Sequence, residues 1–227
     1  MISVGSHIKS FVLRQGKITS SQEIALKTLM PKYGIEYTNS ILPLANSYAN
    51  YMHKLVIEIG FGMGYATYLI ARDNPDINYL GIEVHGPGVG SLLKLIDENH
   101  LTNLKVIRHD AIDVLNNMVA NDSIDGFHIF FPDPWHKKKH HKRRIIRSQF
   151  VDILVAKLKI GGYIHLATDW EDYALWMLDV LNQNPLIYNA SVDGNYVPRP
   201  CYRPLTKFEQ RGLKLGYAVR DIIYIKK

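Results

Sequence analysis

Lys54-Leu55-Val56-Ile57-Glu58-Ile59-Gly60-Phe61-Gly62-Met63-Gly64 is the stretch whose reading decides the fold. After Lys54 its first half is an apolar run interrupted only by Glu58, the pattern of a parallel strand covered on both faces, and the glycines turn it into an apolar-periodic helix predicted over 65–71. The same alternation continues outward. Strand patterns fall at 78–83, 104–109, 124–131 and 162–168, with helix candidates at 87–99, 111–119, 146–158 and 170–182 between and after them. Two last strand candidates, near 186–191 and 217–226, flank a loop rich in Pro, Arg and Tyr. Strands alternating with helices predict an α/β domain with a mainly parallel sheet. Residues 1–50 offer one clear element, a helix from Ser20 to Met30 with Ser20 or Ser21 as N-cap and Glu23 in its first turn. They are read as an N-terminal extension packed on the same domain as residues 51–227.

Glycines at 60, 62 and 64 allow a sharp turn and a close approach of ligand to main-chain N–H groups, where a helix N-terminus adds positive partial charge. A tight structural loop would read the same way, so the surroundings decide. A dinucleotide fingerprint starting at Gly60 would need a small residue at position 65, and the chain has Tyr65. Acids stand at or just past the ends of four successive strands: Glu58, Glu83, Asp110 and Asp133. In an open parallel sheet those ends share a crevice, so all four carboxylates are expected in one pocket. Glu83 follows Gly64 by 19 residues, about where an acid meets ribose hydroxyls in nucleoside-binding α/β folds. A negative pocket with a glycine turn suits an adenosyl sulfonium, which is cationic and has no phosphates.

The composition sets the limits. With 47% hydrophobic and 21% charged residues the chain has material for a core and is not a disordered polymer. Its single cysteine, Cys201, excludes an intrachain disulfide and any zinc site built on two or four cysteines. No signal-peptide pattern and no uncharged apolar run of about 18 residues is present, so a cytoplasmic protein without membrane contact is expected. The net charge of +6 is unevenly spread. Lys137, Lys138, Lys139, Lys142, Arg143, Arg144 and Arg147 fall together with no acid among them, and residues 199–227 are also basic, whereas 51–135 are predominantly acidic. A polyanion would be drawn to the basic segments and a small cation to the middle. Charge runs are usually solvated faces, but this one starts directly after Pro132-Asp133-Pro134-Trp135, beside the proposed pocket. His136, His140 and His141 lack an accompanying carboxylate or cysteine and are read as solvated or phosphate-contacting rather than metal-binding. Arg199 to Arg211 mixes cationic and aromatic residues as single-stranded nucleic acid requires, while Thr206 and Glu209 also fit a capping box.

LVIEIGFGMG (55–64), GIEVHGPGVG (81–90), FFPDPWHKKKHHKRR (130–144), ATDWEDYA (167–174) and RPLTKFEQRG (203–212) together resemble the bacterial tRNA (guanine-N7)-methyltransferase family. SFVLRQGKITSSQ (10–22) and MPKYGI (30–35) are similar to it too. The resemblance implies a class I S-adenosylmethionine-dependent, Rossmann-like fold: a seven-strand, mostly parallel sheet with helices on both faces and an antiparallel last strand. It implies S-adenosylmethionine as methyl donor, S-adenosylhomocysteine as product, no metal, and N7 of a guanine in the tRNA variable loop as acceptor. By the same resemblance Glu58, Gly60, Gly62, Gly64, Glu83, Asp110 and Asp133 form the cofactor site, with Asp133 catalytic. Lys137, Asp169, Thr206, Lys207, Phe208 and Glu209 bind substrate, and Lys139, His140, His141, Lys142, Arg143 and Arg144 contact RNA. A monomer is favoured over a homodimer.

Guanine N7 has an in-plane lone pair and no proton, so its methylation needs alignment and electrostatics rather than a general base. Asp133 or Asp169 is expected to accept from guanine N1–H and N2–H₂, donors that adenine does not present together. The Asp133-Pro134-Trp135 turn is also similar to turns that accept from an exocyclic amine, which leaves amine methylation open at the level of residues. Trp135 is read equally as a base-stacking platform or as a hydrophobic lid.

Overall fold

The computed structural model describes residues 8–12 and 17–227. Seven strands, β1 Lys54–Ile59, β2 Ile77–Ile82, β3 Leu104–Ile107, β4 Ile124–Phe130, β5 Leu158–Thr168, β6 Ile187–Asn189 and β7 Arg220–Lys226, form one sheet in the order β3-β2-β1-β4-β5-β7-β6. The first five run parallel to one another, and β7 runs antiparallel to both β5 and β6. The chain winds outward from β1 to β3 and then crosses back to β4. The C-terminal ends of β1 and β4 therefore open the crevice at which an α/β sheet receives ligands.

Alternation along β1 sorts the two faces. Leu55, Ile57 and Ile59 join the core under α4 (Ala111–Met118), α5 (Ser148–Lys157) and α6 (Glu171–Asn182). Val56 points the other way, to the core beneath α1 (Ser20–Tyr33), α2 (Tyr65–Asp73) and α3 (Gly86–Glu98). The last helix, α7 (Lys207–Lys214), precedes β7. No helix among the described residues is long and apolar enough to cross a membrane.

Several boundaries differ from the sequence expectation, each for a local reason. The N-cap of α1 is Thr19, not Ser20 or Ser21: its hydroxyl accepts from the Gln22 N–H and the Gln22 side chain accepts from the Thr19 N–H, a complete capping box. The helix also passes through Pro31 to Tyr33, and the Gly34 N–H closes it on the Met30 carbonyl. β3 stops at Ile107, which frees Asp110 to cap α4. β5 begins at Leu158 rather than Gly162, directly after α5.

Candidate active site

The glycine turn is built by two constraints. Gly60, Gly62 and Gly64 all have positive φ, and a Cβ on Gly64 would sit 2.6 Å from the Leu92 side chain of α3. From the same helix, Gly88 comes so close that a Cβ there would lie 2.1 Å from the Gly62 carbonyl oxygen. The turn is thus locked against α3. A Cβ on Gly60 or Gly62, by contrast, meets no atom within 4 Å. Those two positions are an open cradle whose space a ligand could take.

Beside the cradle lies a cleft of about 250 Å³, lined by Gly60, Glu83, His109, Asp110, Phe131 and Asp133 among others. Glu83 accepts from three main-chain groups, the Gly62 N–H at 3.0 Å, Val84 N–H at 2.7 Å and His85 N–H at 3.1 Å, so one carboxylate ties the glycine turn to the end of β2. Asp110 caps α4 through the Ile112 N–H and is met by the Lys9 ammonium at 2.7 Å. His109 stacks face to face on Tyr37, ring centroids 3.7 Å apart. Ser10 and Phe11 complete the wall, and the Ser10 carbonyl accepts from Trp135 Nε1. That N-terminal contribution was not visible in the sequence, because nothing in residues 8–12 carries a turn or strand signal.

Three of the four expected carboxylates share this cleft; Glu58 does not line it. Glu58 alternates with Ile59 along β1, and only Ile59 faces the cleft. Glu58 instead lines an adjoining cavity of about 740 Å³ together with Met63, Tyr65, Phe130, Arg203 and Thr206. The two spaces meet at Gly60 and Phe131, which line both. Burial pushes the Glu58 carboxyl up to about 7, with nearby Glu83 adding to the rise and Thr67 opposing it.

Asp133 is exposed on the cleft wall in a turn of unusual backbone. Phe131 and Trp135, at either end, have φ of 51° and 50°, values costly for side chains of this size. Trp135 is engaged by Ser10, and Arg143 lies over its ring at 5.0 Å, which favours the lid over the free stacking platform. Lys137, Lys138, Lys139 and Lys142 are exposed around a 3-10 helix, Lys138–Arg143. Arg144 is not part of that solvated face. It is 1% exposed and donates from Nε to the Pro134 carbonyl at 2.9 Å, with an ion pair to Asp172. Its expected phosphate contact is corrected to an internal one, because its guanidinium finds fixed partners on α6.

A similar correction applies to Glu209. It is 3% exposed and both its oxygens accept from Arg203, at 2.8 and 2.9 Å, while Arg203 also binds Asp221 at 2.6 and 2.8 Å. Thr206 accepts from the Glu209 N–H, so only the Thr206 half of the capping box forms. Asp169 faces a third space, a surface groove with Trp170, Glu171 and Tyr217, and its carboxylate lies close to Gly212 of α7. The side chains of Lys207 and Phe208, and residues 13–16 of the N-terminal resemblance, lie outside the described residues.

Sequence reasoning missed the polar network behind the adjoining cavity. His128 bonds the Tyr163 hydroxyl at 2.8 Å, and His165 bonds Asp221 and the Tyr202 hydroxyl, each at 2.8 Å. Two histidines in otherwise apolar strand patterns were the available signal, since buried imidazoles require partners.

A family model described as putative methyltransferase matches residues 52–222. A tRNA (guanine-N(7)-)-methyltransferase of Chromobacterium violaceum is 58% identical over 220 residues, covering 97% of this chain and 96% of that protein. The enzyme of the same description from Methylobacillus flagellatus is 54% identical, covering 97% and 92%. Among solved structures, the 16S rRNA methyltransferase KamB matches with a TM-score of 0.57 at 15% identity, over 81% of this chain and 91% of that one, a likeness of fold. The sheet order, its antiparallel β7 and this likeness make the fold that of a class I methyltransferase. On identity over nearly its whole length, the chain belongs to the tRNA (guanine-N(7)-)-methyltransferase family.

Proposed function

We propose that the protein transfers a methyl group from S-adenosylmethionine to N7 of a guanine in the variable loop of tRNA, forming N7-methylguanosine. The observation that carries this reading is adjacency: Asp133 lines the cleft, and four residues later the chain enters the exposed basic run. A polyanion held on that run is held beside the cleft.

The residues present fit the cofactor. The open cradle at Gly60 and Gly62 suits the amino-acid end, and Glu83 and Asp110 offer acceptors for the nucleoside end. S-adenosylmethionine supplies an electrophilic methyl group on a cationic sulfur. The protein must then align guanine N7 with that methyl, exclude water and favour the positive charge that develops on the purine. Asp133 provides a carboxylate on the cleft wall for the last of these. We assign the base to the adjoining cavity, because its aromatic wall of Tyr65, Phe130 and Phe131 suits a nucleobase and it meets the cleft at Gly60 and Phe131. Asp169, bordering α7 on the outer side, is assigned to the RNA side of the site. No proton leaves N7, so no residue is needed as a base.

Incubation with labelled S-adenosylmethionine and unmodified tRNA, followed by nucleoside analysis, tests the proposal. N7-methylguanosine is the expected product. N2-methylguanosine, or no labelled nucleoside, would overturn it.

A further inference from the structure

The turn that carries Asp133 cannot hold itself. Pro132 and Pro134 have no N–H, and among the described residues the last backbone hydrogen bond donated before Asp133 is from Phe131 to Ala167; the next along the chain is from His140 to Lys137. Both ends of the turn sit at positive φ. A segment with so little main-chain support and a strained backbone must be held by side chains. One anchor is Trp135 on Ser10. A second is Arg144, beside the ring contact of His136 with Trp170 at 4.2 Å.

Arg144 turns inward from the basic run. Its guanidinium packs over the rings of Tyr173 and Trp176, at 4.8 and 5.4 Å, and binds three different places in the chain. Nε donates to the Pro134 carbonyl, one residue after Asp133. Nη2 pairs with Asp172, in the first turn of α6 and three residues after Asp169, and also lies 3.1 Å from His141 Nε2 within the run itself. The same stretch is pinned twice more to α6: Trp176 Nε1 donates to the Ile146 carbonyl at 2.7 Å, and the Ile146 N–H donates to the Tyr173 hydroxyl at 3.3 Å. Removing a guanidinium from water is unfavourable unless its donors are used, and its planar fork can span two partners that an ammonium cannot reach together.

We propose that Arg144 is a positioning residue that registers the Asp133 turn against both the RNA-docking run and the start of α6, so that tRNA held on the run is presented in line with the methyl donor. The inference rests on the functional reading above. It concerns alignment: of the cofactor-site residues only Asp133 lies on this turn, and the glycine turn, Glu83 and Asp110 are held by other elements, so most of the cofactor contact is independent of Arg144.

Two variants test it. Arg144→Lys keeps the charge but cannot serve Pro134 and Asp172 together. Asp172→Asn removes the counter-charge of the outer half of the clamp but keeps an acceptor oxygen, at a side chain that is 63% exposed, so it perturbs folding less than a change at Arg144. For each, kcat and KM for tRNA, S-adenosylmethionine affinity by calorimetry, and melting temperature are measured. Misalignment by about 1 Å costs on the order of 10²-fold in rate, so kcat should fall by about that factor in Arg144→Lys and about tenfold in Asp172→Asn. KM for tRNA and cofactor affinity should stay within about threefold of wild type. A lower melting temperature with unchanged kcat per folded molecule would reduce Arg144 to a core residue. A raised KM with unchanged kcat would make it an ordinary phosphate contact. If Arg144→Lys does not fold, Asp172→Asn decides alone, and a wild-type kcat there overturns the proposal. Wild-type protein that methylates no guanine would instead count against the functional reading.

Discussion

Arg203 and Glu209 meet through two parallel hydrogen bonds of 2.8 and 2.9 Å with both side chains buried, and this pair fastens α7 to the sheet because Arg203 also grips Asp221 of β7. The Thr206 segment that borders the adjoining cavity therefore owes its position to a buried guanidinium. Glu209→Ala would leave part of that guanidinium buried and unpaired, at a cost of about 3–5 kcal/mol. Urea denaturation should show the loss. A surface role for Glu209 would leave stability unchanged and weaken only tRNA binding.

Asp133→Asn retains the shape of the side chain and removes its fixed charge. The side chain is exposed on the cleft wall, so the melting temperature should not move. Methyl transfer should fall by about 10²- to 10³-fold, the usual consequence of removing one preorganised electrostatic interaction. Normal turnover by the folded variant would remove Asp133 from the catalytic role.

Lys139, Lys142 and Arg143 are the members of the run to replace with Ala when testing RNA docking. For every phosphate that the variant no longer neutralises, the slope of log affinity against log salt should flatten by about 0.7 to 0.9. Cofactor binding and stability should be nearly unchanged. Adding Arg144→Ala to the set should instead lower stability, since that side chain is buried. A triple variant with the wild-type slope would return the run to solvated charge.

The pH dependence of stability should combine two opposite signs. Burial holds His128 well below its usual value of 6.5, and holds His165 below it despite the opposing hydrogen bond to Asp221. Each imidazole resists protonation in the fold more than in the unfolded chain, so stability falls with pH below 6.5, at most by about 1.4 kcal/mol per pH unit for each. Glu58 works the other way. Its folded carboxyl, raised from 4.5 to about 7, keeps a proton the unfolded chain gives up, so stability rises as pH falls between those values. The histidines and Glu58 therefore act in opposite directions below pH 6.5. Glu58→Gln should raise stability at pH 8, where the buried charge is removed, and steepen the acid loss between pH 6.5 and 5. Denaturant titrations of both proteins across pH 5–8 provide the check; a variant less stable than wild type at pH 8 would contradict it.

The amino-acid sequence by itself determined the succession of strands and helices, the glycine turn after β1 and the acids at the strand ends, because periodicity, turn chemistry and strand ends are properties of neighbouring residues. The same holds for the basic run following Asp133. Tertiary structure alone decided which of those charges work at the surface. Arg144 and Arg143 are adjacent in sequence and equally cationic, yet Arg144 is buried because Asp172, Tyr173 and Trp176 of α6 enclose it. Glu209 is buried because Arg203 and Asp221 form one network around it. Ser10 and Phe11 reach the cleft only because Lys9 and Trp135 hold that segment across it. In each case the deciding partner is brought in by the packing of separate elements, and no local pattern encodes it. The separation of Glu58 from the other three acids is the intermediate case: the period of two along β1 already puts it opposite Ile59, but which face bears the cleft depends on where α2 and α3 pack.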